Sequence, residues 1–430
     1  MENRALKSIR IPILFLFICF VAIPPQTFSK PTKTTPVTSA IKRTASAQAP
    51  VAQPTPQGGL RSDAQAAVLM DAYSGQVLYE QNPNLKIPPA SFGKVLTLYL
   101  AYDAIRAGQL KMEDLATVSE KAWRMQGSKM FIKVGERVKV EELLKGIAIS
   151  SGNDACIALA EHMAGSEEVF VSKMNEKARL IGMKDSQFKN SHGMPAEGQS
   201  TTAMDMVILA RRYIEDHPEA LVFHSTTEYE YNKIRQYNRN TLLLRNIGVD
   251  GLKTGHVEEA GFHLLATAKR NGQRMIAVVM GCDRMKKRAP EAQILLEYGF
   301  KNFSTVEAVK KGAPFGPVKV RRGKEKKVML TASEEGWVTV PKGKESSVSV
   351  TPELPRNILA PIQKGQALAK VLIENEGKVL REVRLISPVD IPKSLLPSWP
   401  VTVGAILGLA LIIFLGFLWR QRLVRKKFRR

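Results

Sequence analysis

Hydrophobic and polar positions change rhythm several times along this chain. The first clear pattern begins at Ala66. Ala67-Val68-Leu69-Met70-Asp71 and Gln76-Val77-Leu78-Tyr79 are short apolar runs on either side of Tyr73-Ser74-Gly75, and this spacing predicts a β-hairpin. Residues 91–107, opened by Pro88-Pro89-Ala90, carry apolar residues at helical spacing, and helices are also expected at 140–149, 153–164, 167–182 and 202–215. Phe262 to Ala268 and Met275 to Gly281 flank Arg270-Asn271-Gly272, which predicts a second hairpin with an Asn-Gly turn, and a helix is expected near 289–302. Strands therefore lie at both ends of the region and helices fill its middle. That is an α+β pattern rather than repeated βαβ units. From 305 to 390 the rhythm changes to short β-branched runs separated by Gly, Pro and charged turns, as in Trp337 to Pro341 or Val379 to Ile386, and predicts a small all-β domain.

Two apolar segments do not fit either region. Arg4, Lys7 and Arg10 precede Ile11 to Ile23, a run interrupted by Pro12 and ended by Pro24-Pro25. It is short for a span and reads as a secretory signal over 1–29, with small residues around Thr27-Phe28-Ser29; the competing reading is an uncleaved anchor. Residues 30–61, rich in Pro, Thr, Ala, Gln and Ser, read as a flexible linker. Trp399 to Trp419 is uncharged and apolar, and as a helix would be about 30 Å long, one hydrocarbon core. The basic tail 420–430 follows at once. By the positive-inside rule that tail is cytoplasmic and everything before Trp399 is exported, which predicts a single-pass membrane protein with its two domains outside.

Composition adds little until charge is considered. The 430 residues suit two domains plus tails, and 63 basic against 40 acidic residues give +23. Such an excess suggests an anionic partner. The tail's share reads as a stop-transfer flank, and neither Arg284 to Arg288 nor Lys310 to Lys327 has the aromatic interleaving of a nucleic-acid binder, so no nucleic acid is expected. The latter two stretches read as solvated faces, or as contacts with anionic lipid or wall polymer. Cys156 and Cys282 are expected as separate buried thiols, although a bridge between them is conceivable, and Cys19 falls in the signal segment. The histidines lack metal-ligand spacing, so no metal and no cofactor are expected.

Three short motifs carry chemistry. In Ser91-Phe92-Gly93-Lys94 a serine and a lysine three apart share one helix face. A serine at a helix start sits beside unpaired N–H groups, and a desolvated lysine next to it can accept its proton. Ser39 to Lys42 and Ser186 to Lys189 match the same spacing, but only Ser91 opens an apolar helix. Ser151-Gly152-Asn153, followed by Asp154 and placed between two helices, can turn a hydroxyl and an amide into one cleft, although such a sequence commonly serves only as a helix cap. Lys253-Thr254-Gly255 lies just before the strand at Phe262; on an edge strand its lysine and hydroxyl can hold a carboxylate, and Gly255 leaves room for close approach. The three motifs in this order are the set found in penicillin-binding proteins and class A β-lactamases.

The chain resembles the low-molecular-mass D-alanyl-D-alanine carboxypeptidases, serine peptidase family S11, in the penicillin-binding protein 5 group. The resemblance covers about residues 62–390. It is carried by Pro89-Ala90-Ser91 with Lys94, by Ser150 to Cys156, by Gly248 to His256 with Ala260-Gly261, and by Asn190-Ser191-His192-Gly193-Met194 and Ser200 to Met206. It implies a β-lactamase/transpeptidase-like catalytic domain over 62–304, an antiparallel sheet with a helical cluster, followed by the all-β domain over 305–390. It also implies an acyl-enzyme on Ser91, Lys94 as general base, Ser151 as proton relay, and Asn153 on the substrate peptide. Lys253 and Thr254 would hold the terminal carboxylate beside Gly255, and the N–H groups of Ser91 and His256 would form the oxyanion hole. The implied substrate is the peptidoglycan pentapeptide stem, and β-lactams would be covalent inhibitors. Gly93 and Val257-Glu258-Glu259 depart from the family's usual residues, and a full span replaces its amphipathic terminal helix.

Other readings share these motifs. A class A β-lactamase also needs a glutamate to activate the deacylating water, and no clear Glu-x-x-Leu-Asn element lies between Asn153 and Lys253. A D,D-endopeptidase would carry every motif. A silent wall-binding scaffold is disfavoured because all the reactive residues are present.

Overall fold

The computed structural model describes residues 59–394 and 399–427. The expected signal segment, most of the expected linker, Cys19 and the Ser39 match lie outside the described residues.

Five antiparallel strands form the central sheet: β1 (Ala66–Asp71), β2 (Val77–Gln81), β3 (Val249–Val257), β4 (Gly261–Arg270) and β5 (Gln273–Cys282), in the order β2-β1-β5-β4-β3. The strand nearest the start of this region thus pairs with one more than 200 residues later, Ala66 facing Met280 and Met70 facing Ile276. Alternation along the strands divides the interior in two. Ala66, Val68, Met70, Ile276, Val278 and Met280 face one core, and Ala67, Leu69, Met275, Ala277 and Val279 face the other. Both faces are covered, so β1 and the middle of β5 read as unbroken apolar runs.

The first core is closed by α1 (Gly93–Arg106), α2 (Asn153–Ala164), α3 (Glu167–Ile181) and α4 (Ala203–Asp216). The second is closed by α5 (Met285–Asn302), through Ala289, Ala292, Leu295, Leu296 and Phe300. Helix α5 starts earlier than expected from the sequence. Pro290 sits inside it. The residues before the proline are also not a simple solvated face: Arg288 is buried and donates to the carbonyls of Gly255 (3.4 Å) and Arg239 (3.3 Å). Cys156 and Cys282 are both buried free thiols.

Helix α5 runs straight into a strand at Phe303–Val309, which pairs with Gly336–Pro341. Beside it a six-stranded sheet runs in the order 348–353, 367–375, 378–386, 327–332, 314–321, 357–359. Alternate residues such as Val318, Val320, Leu330, Val371, Ile373, Val383 and Leu385 build a third core. This small β domain meets the first hairpin: Tyr73 stacks on Trp337 with centroids 5.0 Å apart, the hydroxyls of Ser74 and Thr339 are 2.6 Å apart, and the Thr305 hydroxyl donates to Asp71. Last comes α6 (Trp399–Lys427), in which Val403–Leu423 is long and apolar enough to cross a membrane.

Candidate active site

Ser91 lies in a single 3-10 turn, Ala90–Phe92, set directly before α1. Ala90 has φ +47°, a left-handed backbone that a non-glycine residue adopts at a cost of about 1–3 kcal/mol. The turn tolerates this because it is held on several sides. Phe92 is fully buried against His263, and His263 Nδ1 accepts the Gly281 N–H at 2.9 Å, which leaves its own proton on Nε2, 3.3 Å from the Pro88 carbonyl. Burial holds that ring neutral, with its pKa lowered to about 4.

One helical turn on, Lys94 is completely buried. Its Nζ donates to Ser91 Oγ (3.1 Å), Asn153 Oδ1 (2.7 Å) and the His192 carbonyl (2.5 Å). All three partners are uncharged. Burial therefore dominates and lowers its pKa to about 8, within reach of proton acceptance near neutrality.

The Ser151 hydroxyl completes the group, 3.1 Å from Ser91 Oγ. It is aimed there by an irregular backbone: a π turn at Gly146–Ser150, then Ser151 itself at φ +64°. The adjoining Asp154 explains why this conformation persists. Its buried carboxylate accepts the N–H groups of Met130 (2.8 Å) and Phe131 (2.9 Å), tying the 128–132 loop onto the start of α2. Asn153 is oriented by donating to the Gln126 carbonyl at 2.7 Å, so its oxygen faces Lys94. The sequence suggested a substrate-gripping amide; in the fold that residue also holds the lysine.

Lys253, Thr254 and Gly255 form the other wall, within the edge strand β3 and just ahead of β4, which holds Phe262, as expected. Gly255 permits the close approach, since a Cβ there would lie 3.1 Å from Ala90 Cβ. The Lys253 ammonium is buried, and its one bond, to the Thr254 carbonyl, is long at 3.4 Å. Burial, then repulsion by Lys94, pushes its pKa well below the ordinary value. His256 is exposed, its ring stacked on Phe262 with centroids 4.0 Å apart.

Ser91, Lys94, Ser151 and Asn153 are thus joined by hydrogen bonds, and β3 brings Gly255 against the turn that carries Ser91. The remaining Ser-x-x-Lys match does not join this group: Ser186 is taken by Asp205 Oδ2 (2.7 Å) and Thr201 (2.7 Å). Three features were not visible from spacing. The loop 190–194 supplies a backbone carbonyl to Lys94. Glu167 secures that loop by accepting Ser191 N–H (3.0 Å) and Oγ (2.8 Å) and by pairing with Lys121 (3.0 Å). Gly193 fits against the nucleophile turn where a Cβ would come within 1.7 Å of the Ala90 carbonyl oxygen. The similarity of Asn190 to Met194 to family segments was the one sequence signal for this loop, and it carried no role.

Ser91 Oγ thus lies within hydrogen-bond reach of both a buried lysine and a second serine, with a second buried lysine on the neighbouring strand, an arrangement suited to acyl transfer. Comparison with known proteins agrees. Residues 49–284 match the family described as D-alanyl-D-alanine carboxypeptidase, and residues 303–393 match the penicillin-binding protein 5 C-terminal domain. The chain is 41% identical over 332 residues to the D-alanyl-D-alanine carboxypeptidase DacC of Escherichia coli, covering 75% of this chain and 83% of that protein. The crystal structure of penicillin-binding protein 5 from Haemophilus influenzae superposes with a TM-score of 0.74 at 37% identity, covering 78% of this chain and all of that one. Penicillin-binding protein D2 of Listeria monocytogenes, solved in its ampicillin-bound form, is 30% identical and covers 57% of this chain and 100% of that one, with a TM-score of 0.53. With the first of these families matched over more than half of the chain and a curated relative 41% identical across most of its length, the chain belongs to the D-alanyl-D-alanine carboxypeptidase family of serine peptidases.

Proposed function

We propose that this protein removes the terminal D-alanine from peptidoglycan pentapeptides through an acyl-enzyme on Ser91. The arrangement of donors and acceptors around Lys94 carries the reading. Asn153 Oδ1 and the His192 carbonyl, as they are oriented, can only accept. A neutral Lys94 amine keeps both bonds with its two N–H groups and turns its lone pair toward the third neighbour, Ser91 Oγ. The serine proton passes to Lys94 as Oγ attacks the scissile carbonyl. That proton leaves Lys94 by way of the Ser151 hydroxyl, which contacts Ser91 Oγ, and goes to the departing D-alanine amine, so that Lys94 is neutral again. Water then hydrolyses the ester and frees Ser91. The N–H groups of Ser91 and His256 serve as the oxyanion hole, a contribution of about 10²–10³ per donor.

Buried Lys253 supports the choice of an exopeptidase. An ammonium in a dry cleft with one long bond to a carbonyl is matched by a free terminal carboxylate, with the Thr254 hydroxyl beside it. Asn153 contacts the peptide with its remaining N–H. β-Lactams acylate the same serine. The apolar span of α6 anchors the protein in the cell membrane, with the basic tail inside and the catalytic domain outside.

Mass spectrometry after penicillin treatment tests this. An adduct on the Ser91 peptide, long-lived and abolished in Ser91→Ala, is expected. An adduct on another residue, or none, would overturn the assignment, and rapid release of the adduct would favour a β-lactamase.

A further inference from the structure

A basic cluster lies at one end of the β domain. Lys319, Arg321, Arg322, Lys324, Lys326 and Lys327 are all exposed on the hairpin that joins residues 314–321 to 327–332. Lys319 and Lys327 stand directly opposite each other across the two strands. Like charges so placed destabilise a sheet, by a few tenths of a kcal/mol to about 1 kcal/mol. Among the described residues none of the six has a carboxylate partner, although ion pairs are common elsewhere in this domain, as at Lys344–Glu376 and Lys370–Glu382.

The chain's path says what this end faces. The hairpin tip is bonded to the segment that leaves for α6: the Lys324 N–H donates to the Pro392 carbonyl at 3.0 Å, the Ser394 N–H donates to the Arg322 carbonyl at 2.8 Å, and Gly323 pairs with Lys393. From Ser394 to Trp399, the first residue of α6, is five peptide steps, a reach of at most about 18 Å. The tip is thereby tethered next to the bilayer surface. Two large apolar side chains are exposed at the same end. Leu359 is 61% exposed beside Arg321, and Met329 is 41% exposed two residues along the strand from Lys327. Basic side chains interleaved with protruding apolar ones match a bilayer interface better than a soluble polyanion.

We propose that this end of the β domain docks on anionic phospholipid headgroups of the membrane that α6 spans, so that the protein is held by a surface contact as well as by its anchor. The contact limits tilt and sets the height and direction of the active-site cleft over the bilayer. The inference rests on the anchor reading above.

The test uses the full chain in lipid nanodiscs, made of phosphatidylcholine alone or with phosphatidylglycerol added, and amine-reactive footprinting read by mass spectrometry. Lys324, Lys326, Lys327 and Lys393 are expected to react about fivefold more slowly on the anionic discs. High salt should remove the effect, and the triple variant Lys324→Glu/Lys326→Glu/Lys327→Glu should remove it at the remaining readout, Lys393. The exposed Lys111 and Lys133 of the catalytic region should not change. Equal reactivity on both lipids overturns the proposal. So does slowing by a soluble glycerol-phosphate polymer where anionic lipid has no effect, which would assign the face to wall polymer. A chain that stays out of the discs sinks the anchor reading instead, and the tether argument with it.

Discussion

Glu167 accepts two hydrogen bonds from Ser191, one from its N–H and one from its hydroxyl, although neither residue touches the nucleophile. The Ser191 carbonyl is held in turn by Thr97 Oγ1 on α1 at 2.6 Å. The next carbonyl along, that of His192, is the one that receives Lys94. Glu167 thus secures the loop that holds Lys94, and under the proposed mechanism it is a positioning residue. Glu167→Ala is expected to slow acylation by fluorescent penicillin roughly ten- to a hundredfold, the scale of a small misplacement. Glu167→Gln, which still accepts from Ser191, should recover most of the rate. A purely structural role would lower the melting temperature of both variants without separating their acylation rates.

Acylation should follow the deprotonation of Lys94. Its pKa of about 8 implies a rate that climbs about tenfold per pH unit below that value and levels off above it. Lys94→Arg, which cannot deprotonate, should lose about 10²–10⁴ and show no such limb. Stopped-flow acylation across pH checks both. An adduct rate in wild type that is flat from pH 6 to 9 would remove Lys94 as the base.

The same group has a stability consequence. Its folded pKa lies below the ordinary lysine value of about 10.4, so between the two the folded state binds fewer protons than the unfolded one, and stability rises with pH. Below about pH 8 both states carry the charge, and the cost of burying it, about 3 kcal/mol, is felt in full. Denaturant unfolding of wild type and Lys94→Met should show wild type gaining on the variant as pH rises from 8 toward 10, and a constant difference would contradict this.

Gly193 has φ +86°, and a Cβ there would overlap the Ala90 carbonyl. Gly193→Ala must displace either the loop that holds Lys94 or the turn that holds Ser91. Loss of penicillin labelling is expected, together with a lowered melting temperature. Normal labelling with unchanged melting would show that the loop moves freely.

Trp337→Ala removes the stack on Tyr73 that joins the β domain to the first hairpin. Aromatic pairs contribute about 0.5–1.5 kcal/mol beyond their buried area. A melting temperature lower by a few degrees is expected, with acylation unchanged. A large fall in acylation would mean that the β domain reaches the cleft in some other way.

Much of the fold was legible because its signals are local. Short apolar runs marked β1, β2, β4 and β5, and helical spacing marked α1 to α4 closely. Strand β3 was harder to read. Val249 to Val257 contains two glycines, a lysine and a threonine, and it is a strand because β4 pairs with it and the nucleophile turn packs on it. The two small antiparallel pairs, Leu115–Thr117 with Arg137–Lys139 and Glu228–Tyr231 with Ile234–Tyr237, are too short to show a period. In the site, motif side chains were readable as residue types. Their supports were not, because a backbone carbonyl such as that of His192 carries no residue signature, and Glu167 lies 24 positions from the serine it secures.

Lys94 owes its readiness to dryness rather than to any single bond, and dryness belongs to the whole packed interior around it. A void opened among its apolar neighbours that admitted one water would return the amine toward full protonation at neutral pH while leaving the chain folded. Such a protein would sleep at pH 7 and wake in alkali. The packing around α1 therefore answers to a stricter standard than folding demands, and substitutions there that look harmless by melting temperature should be judged by the pH at which the enzyme works.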